Sequence, residues 1–225
     1  MIVSIHQPNY IPWIGFFNKI LSSDVYVVFD DIQFPRGKDY ANRNQIKTNN
    51  GKTWLTIPVI GKSDLKPWNQ IGINKNGWID KHLAIIESFY TKSPYFKEYY
   101  SEIKNIYLKD HNLLIDLTLD LIRHFIKIFD KETKIILSSD IKTDLKGMDK
   151  ILYILKYLQA TKYISGDGDG SKRYIDENLF KENNIELIWQ NYKHPTYNQQ
   201  FGEFIPYMSI LDLLFNEGPN SKNII

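Results

Sequence analysis

MIVSIHQPNYIPWIGFFNKILSSDVYVVFDDIQF, residues 1–34, is the stretch from which the fold is read. Ile2 to Ile5 is a short apolar run of the kind that makes a buried strand. His6 to Pro12 follows, and Pro8 and Pro12 lack a backbone donor and keep helix out of it. Trp13 to Leu21 reads as a helix, with Ile14, Phe17 and Leu21 near helical spacing. Ser22, Ser23 and Asp24 end it, and Val25 to Phe29 is a second continuous run of β-formers. Strand, helix and strand of this length make a βαβ unit with a right-handed crossover. HQPNY, residues 6–10, then lies at the carboxyl end of the first strand, where open α/β sheets bind ligands. His6, Gln7, Asn9 and Tyr10 are therefore expected to face a substrate, since a structural turn does not need so many polar side chains.

The remainder of the chain extends this unit. Lys52 to Ile60 reads as a strand, paired with the preceding IKT segment through a hairpin turned at Asn50-Gly51. Ile71 to Ile73 is one more short strand. Helices are predicted over Trp78 to Tyr90, from Pro94 behind an N-cap at Ser93 to about Leu108, and over Asn112 to Phe129. In the last of these Leu113, Leu117, Leu121 and Phe125 recur every fourth residue. Residues 78–130 are thus a helical insert, expected to cap the sheet. Strands at Lys134–Leu137, Lys162–Ser165 and Ile185–Trp189 alternate with helices at Lys150–Leu158 and Ile175–Glu182, which argues for a parallel sheet. Met208 to Asn216 is a closing helix, and Glu217 to Ile225 is expected to fray. The fold class is α/β: a mostly parallel, Rossmann-like sheet with a helical insert and a small antiparallel extension, in one domain over residues 1–225.

Composition narrows the function. The 225 residues are 43% hydrophobic, enough for a substantial core. A net charge of +2 is too mild to imply nucleic-acid binding. The chain has no cysteine, so thiolate chemistry is excluded and a zinc site would need His and carboxylates alone. No metal site is predicted. The amino-terminal strand lacks the features of a signal peptide, and no apolar run reaches transmembrane length. A cytoplasmic enzyme without a membrane span fits. There is no G-x-S-x-G elbow, which argues against covalent acyl-enzyme chemistry.

IHQPNYIPWIGFFNKI, DDIQF, NRNQIK, WLTIPV, YISGDGDGSKRYID and YNQQFGEFIPYMSILDLLFNEG, in that order, resemble the WbqC-like proteins across essentially the whole chain. Members of that family occur in bacterial clusters that build O-antigens and other surface polysaccharides. The resemblance implies transfer of an acyl or aminoacyl group, such as glycyl, onto a nucleotide-linked amino sugar. The donor is an activated one: an aminoacyl-tRNA, an aminoacyl-adenylate or an acyl thioester, with tRNA entering only as donor. A non-catalytic module that binds a sugar nucleotide or scaffolds the pathway is the alternative. A glycosyltransferase is a further one, with Asp167-Gly168-Asp169 as its only candidate acidic pair. PWIGF followed by SDVYVVFDDIQF is also similar to nucleotidyltransferase-like ligases such as pantothenate synthetases. Those carry H-x-G-H where this chain has Trp13-Ile14-Gly15-Phe16, so Gly15 is kept and both histidines are absent. That departure argues against ATP activation by their route.

Candidate site residues follow from both readings. Asp30 and Asp31 are neighbours at a strand end, so only one can face the site; the resemblance favours Asp30. QFPRGKDYANRNQIKTNN, residues 33–50, reads equally as a solvated loop or as a ligand-binding one. The resemblance tips Lys38, Arg43 and Asn44 toward ligand binding. SGDGDGSKRY, residues 165–174, follows a strand and offers Gly166, Asp167 and Tyr174 on the same rim as His6. It matches neither a Walker loop nor the dinucleotide fingerprint, and no helix is expected right after its glycines. HPTYNQQ, residues 194–200, adds His194, Tyr197 and Gln200 after the last strand. In amide formation His6 would be the base, Asp30 its orienting partner or the anchor of the sugar ammonium, and Arg43 a donor to phosphate or oxyanion.

Overall fold

Strand β1 (Ile2–His6) leads through helix α1 (Ile14–Leu21) into β2 (Val25–Val28). β1 and β2 run parallel, from Val3 opposite Val25 to His6 opposite Val28. The computed structural model describes residues 1–37 and 39–225; Lys38, a candidate ligand contact, lies outside the described residues. A hairpin of β3 (Arg43–Thr48) and β4 (Gly51–Thr56) comes next. Its turn is Asn49-Asn50, one residue earlier than expected, because Gly51 at φ +104° is already paired with Thr48. The single strand predicted over 52–60 is broken at Pro58, which has no N–H for a ladder. Beyond it β5 (Val59–Ile60) pairs with β6 (Gly72–Ile73). Both hairpins are separate two-stranded sheets outside the main one.

Helices α2 (Trp78–Tyr90), α3 (Phe96–Tyr107) and α4 (Leu114–Ile128) form the insert. Ser93 does not cap α3. Its hydroxyl bonds the Asn216 amide oxygen instead, and the turn before α3 is held by the Tyr95 N–H on Phe215 O. Then follow β7 (Lys134–Leu137), α5 (Gly147–Tyr157), β8 (Lys162–Ser165), α6 (Asp169–Tyr174), α7 (Glu177–Glu182), β9 (Glu186–Trp189), α8 (Ile210–Glu217) and α9 (Ser221–Ile224). Two expectations are corrected here. The glycine loop does continue into a short helix, α6. The carboxyl-terminal residues do not fray: Gly218, at φ +52°, seats its backbone against the Tyr95 ring, and Ile224 and Ile225 pack on the core.

The main sheet has the order β7-β2-β1-β8-β9, and every pair in it is parallel. Alternate side chains explain its layers. Val3, Ile5, Val25 and Val27 face a cluster built with Ile154, Leu155 and Phe180 of α5 and α7. Tyr26 and Val28 face the opposite way, into a larger cluster with α1, the insert and α8. Each such side chain, once buried, contributes about 1.5–3 kcal/mol. A one-residue slip would exchange the two faces and bring Ser4, hydrogen-bonded to Ser23 at 2.8 Å, into an apolar layer. Counted along the chain, the five strands stand in the order third, second, first, fourth, fifth, the Rossmann-like arrangement. Connections leave the sheet in opposite directions on the two sides of the β1–β8 junction. A crevice must open there, at the carboxyl ends of those strands.

Candidate functional site

A cavity of about 420 Å³ fills that crevice. β1 supplies His6 at its last position, and the loop after it supplies Asn9. Helix α1 turns Gly15, Phe16 and Lys19 toward it, residues spaced three and four apart and therefore on one helical face. The loop after β8 gives Gly166, Asp167 and Gly168, with Ser171 from α6. Gln190, directly after β9, ties the last strand to α1 through hydrogen bonds to Gly15 O (2.7 Å) and Asn18 Oδ1 (2.9 Å). Trp13, Tyr40, Tyr192 and Tyr207 add aromatic walls. Trp13 stacks on His194 with ring centroids 6.0 Å apart and meets Tyr192 and Tyr207 edge-on. Its indole also lies across the backbone at Gly15, where a Cβ would come within 2.1 Å of the ring.

The chemistry of the walls is set by what burial leaves unpaired. Asn9 Oδ1 and Tyr192 Oη are buried and have no hydrogen-bond partner among the described residues. Each such orphan costs about 1–3 kcal/mol, so two in one cavity mark a place where a ligand supplies the missing bonds. The His6 Nδ1 lies 2.9 Å from Gln7 O. A carbonyl only accepts, so Nδ1 carries the proton and Nε2 keeps a free lone pair. Burial, with the nearby Lys19 charge second, pushes the ring down to about 3 against the pull of the Gln7 bond. Lys19, 3% exposed, is lowered to about 7 by burial. The unfolded His6 titrates near 6.5 and the folded one near 3. Its contribution to stability is therefore present above pH 6.5 and lost as pH falls toward 3. The His6 ring resonances, followed by NMR in the ligand-free protein, are expected to stay at their neutral positions from pH 8 down to pH ~4.5. A midpoint near 6.5 would remove the buried, neutral assignment.

Several expected site residues are elsewhere. Tyr10 is fully buried, its hydroxyl bonded to His82 Nδ1 (2.9 Å) and to the Tyr107 hydroxyl. Asn44 is also buried and donates to Ile11 O (2.7 Å) and Tyr10 O (3.3 Å), which makes it the brace of the HQPNY loop rather than a ligand contact. Arg43 lies with its guanidinium 4.0 Å over the Trp54 ring and its Nε on Asp39 O (3.0 Å). It stands behind Tyr40, which touches the same Trp54 ring, and is not on the cavity wall. Asp30, 1% exposed, accepts from the Ser139 N–H (2.9 Å), the Ser139 hydroxyl (2.6 Å), the Asn69 amide (3.2 Å) and the Ser138 hydroxyl (2.9 Å). It is a latch between the ends of β2 and β7 and does not reach His6. Asp31 does not diverge from it as expected: β2 ends at Val28, so strand alternation does not extend to this pair, and Asp31 pairs with Lys150 while also meeting the Ser138 hydroxyl at 2.5 Å.

Gln7 contributes its carbonyl to His6 and Asn9 and is not on the wall. Tyr174 is 81% exposed. Gln200 donates to Ser93 Oγ at 2.7 Å, beside the insert. His194 holds the 190–207 segment together: Nδ1 donates to Pro195 O (2.8 Å), and Nε2 accepts the Tyr207 N–H (3.1 Å). It supports the cavity from behind Trp13. Tyr197 is buried on Asp212 at 2.8 Å. Of the expected contacts the cavity thus unites His6, Asn9, Gly166 and Asp167. The sequence reading missed Lys19, Gln190, Tyr192 and Tyr207 as wall residues. The four-residue spacing of Gly15 and Lys19, just past a strand-end loop, was the signal for the first. For the second it was the first polar residue after the last strand.

A larger cavity of about 560 Å³ opens beyond β2, beside Asp31, Lys146 and Lys150. Its buried Lys150 is already neutralised by Asp31, and neither side chain has an orphaned atom. The switch-point cavity is therefore the better site, though smaller. Among the described residues no group of three or more His, Asp or Glu is placed to share a metal ion. Nor is any helix among them long and apolar enough to cross a membrane.

Comparison with known proteins adds one family. The model of the WbqC-like protein family matches residues 7–224. An uncharacterized protein of Mycobacterium tuberculosis is 32% identical over 226 residues, covering 99% of this chain and 96% of that protein. No solved structure gives a significant match.

Proposed function

The chain belongs to the WbqC-like protein family, and on that premise we propose that it transfers an acyl or aminoacyl group to a nucleotide-linked amino sugar during surface polysaccharide synthesis. The observation that supports this reading best is the switch-point cavity, where Asn9 Oδ1 and Tyr192 Oη lack partners beside a neutral His6. Aromatic walls of Trp13, Tyr40, Tyr192 and Tyr207 suit the C–H faces of a sugar, while their hydroxyls and the orphaned amide oxygen take its polar groups. Asp167, the carboxylate on the wall, is the anchor for the sugar's ammonium.

In the reaction the bound ammonium first gives one proton to solvent, and the free amine then attacks the acyl carbon of the activated donor. A C–N bond forms, the bond from acyl carbon to donor oxygen or sulfur breaks, and the amine's proton leaves with the departing donor group. His6 contributes through Nε2, which accepts a hydrogen bond from the attacking N–H and fixes the direction of its lone pair. A ring held near pKa 3 is too weak a base to hold the proton itself, which revises the expected role of this residue.

The test is a mass measurement. The purified protein is incubated with a dTDP-linked amino sugar and, in turn, glycine with ATP, glycyl-tRNA and an acyl thioester. The expected result is a gain by the sugar equal to the acyl group, slowed at least ~10-fold in His6→Ala. Binding of the sugar with no gain from any donor would favour a carrier or scaffold instead. A His6→Ala protein working at the parent rate would take His6 out of the chemistry.

A further inference from the structure

Among the described residues three lysines are buried, and two of them have partners. Lys150 pairs with Asp31, and Lys47 donates to Glu203 O at 2.5 Å with Asp212 nearby. Lys19 differs. It is 3% exposed and lines the cavity, but no carboxylate, carbonyl or hydroxyl among the described residues meets its amine. The titratable residues that line the same cavity are His6 from β1, Asp167 from the loop after β8, and Tyr40, Tyr192 and Tyr207. His6 is neutral, and Asp167 does not offset the cost of burying the ammonium. A buried cation without a counterion is expensive, and the usual remedy is an anion or loss of the proton.

We propose that Lys19 is the phosphate-binding residue of the cavity, meeting the diphosphate of a nucleotide-linked sugar and taking up a proton as that diphosphate arrives. For the class of ligand, though not for the site, this rests on the function proposed above. The loop after β8, which lines the same cavity, leaves room for such a group. A Cβ at Gly168 would meet nothing within 4 Å, and one at Gly166 only Ser171 Oγ at 3.7 Å, so phosphate oxygens can approach the backbone closely. Burial lowers the amine to about 7, so roughly half of it is unprotonated at pH 7 and most of it at pH ~8. A bound diphosphate supplies the missing counter-charge and restores its ordinary basicity.

Calorimetry with UDP-glucose and dTDP-glucose tests this directly, because their diphosphate diesters do not titrate between pH 5.5 and pH ~8. Titrations at pH ~8 in buffers of different ionisation enthalpy are expected to show uptake of about one proton per site, falling toward zero at pH ~5.5. Lys19→Met, of similar volume, is expected to lose the uptake and weaken binding by about tenfold or more, with an unchanged circular dichroism spectrum. Zero uptake at pH 8, or a Lys19→Met protein that binds as tightly as the parent, overturns the proposal. So does failure of both nucleotide sugars and of inorganic pyrophosphate to bind the parent protein. The proton measurement on the parent does not depend on the variant folding. If binding and uptake hold while no donor yields a mass gain, the transferase reading fails and this one stands. If mass gain is seen and Lys19→Met leaves it and the binding unaffected, the reverse is true.

Discussion

Asp30→Ala is expected to lower the unfolding free energy by about 3–4 kcal/mol, roughly a 10 °C fall in Tm for a chain of this size. The carboxylate is buried and accepts from Ser138, Ser139 and Asn69, two of its donors coming from the turn after β7 and one from the segment before β6. Its removal leaves the Ser139 N–H and the Asn69 amide without an acceptor in a place that water does not easily reach. Hydrogen bonds to a charged group contribute about 1.5–3 kcal/mol each, and losses within one network overlap, so the total lies below their sum. Asp30→Asn keeps one oxygen acceptor but turns an NH₂ toward donors, and is expected to recover less than half of the loss. Urea unfolding gives the free energies, and nucleotide-sugar binding below the transition gives the site's integrity. An unchanged urea midpoint with lost turnover would restore Asp30 to the chemistry and discard the latch.

Gly15→Val is expected to abolish ligand binding at the cavity while the sheet stays folded. Two effects compete. Leaving glycine for a residue with a side chain in a helix gains up to ~1 kcal/mol of propensity. Against this, the new Cβ would stand 2.1–2.5 Å from three atoms of the Trp13 ring. That indole is not a free end: it is stacked on His194 and met edge-on by Tyr192 and Tyr207. It must leave its stack, and overpacking of this kind costs about 1–3 kcal/mol, so sterics win. The displaced ring takes an aromatic wall with it, and affinity for a nucleotide sugar is expected to fall at least ~100-fold. A red shift of tryptophan emission without loss of far-ultraviolet dichroism is the structural sign. Retained affinity in Gly15→Val would show that the Trp13 wall does not matter to the ligand.

The sheet was legible because its strands are apolar on both faces. Val25 to Val28 and Ile2 to Ile5 can only be interior, and a helix between them leaves one sensible topology. The alternation rule did not carry to Asp30 and Asp31, because β2 ends at Val28 and both carboxylates meet the Ser138 hydroxyl. What it could not supply was the identity of the neighbours, since Ser138 lies 108 residues away in the chain. Tyr10 shows the same limit. Its hydroxyl looks like a site group until His82, 72 residues on, claims it. Lys19 was hidden for a different reason: a lysine on an amphipathic helix is read as its solvent face, and only the crevice between β1 and β8 makes that face interior. Arg43 illustrates the opposite error, a charge that seemed made for a ligand but is spent on an aromatic ring.

The position of β1 bears on how the molecule is made. β1, which is made before the other strands of this sheet, is flanked by β2, twenty-odd residues behind it, and by β8, which begins at residue 162. Until that later strand emerges, the middle of the future sheet is a bare edge with unpaired amides and valine side chains. Contacts so distant in sequence form late, and chains stalled or clipped in the insert present a sticky half-sheet during that interval. Binding competence and protection from aggregation are therefore acquired at the same moment, when the second half of the chain closes against the first.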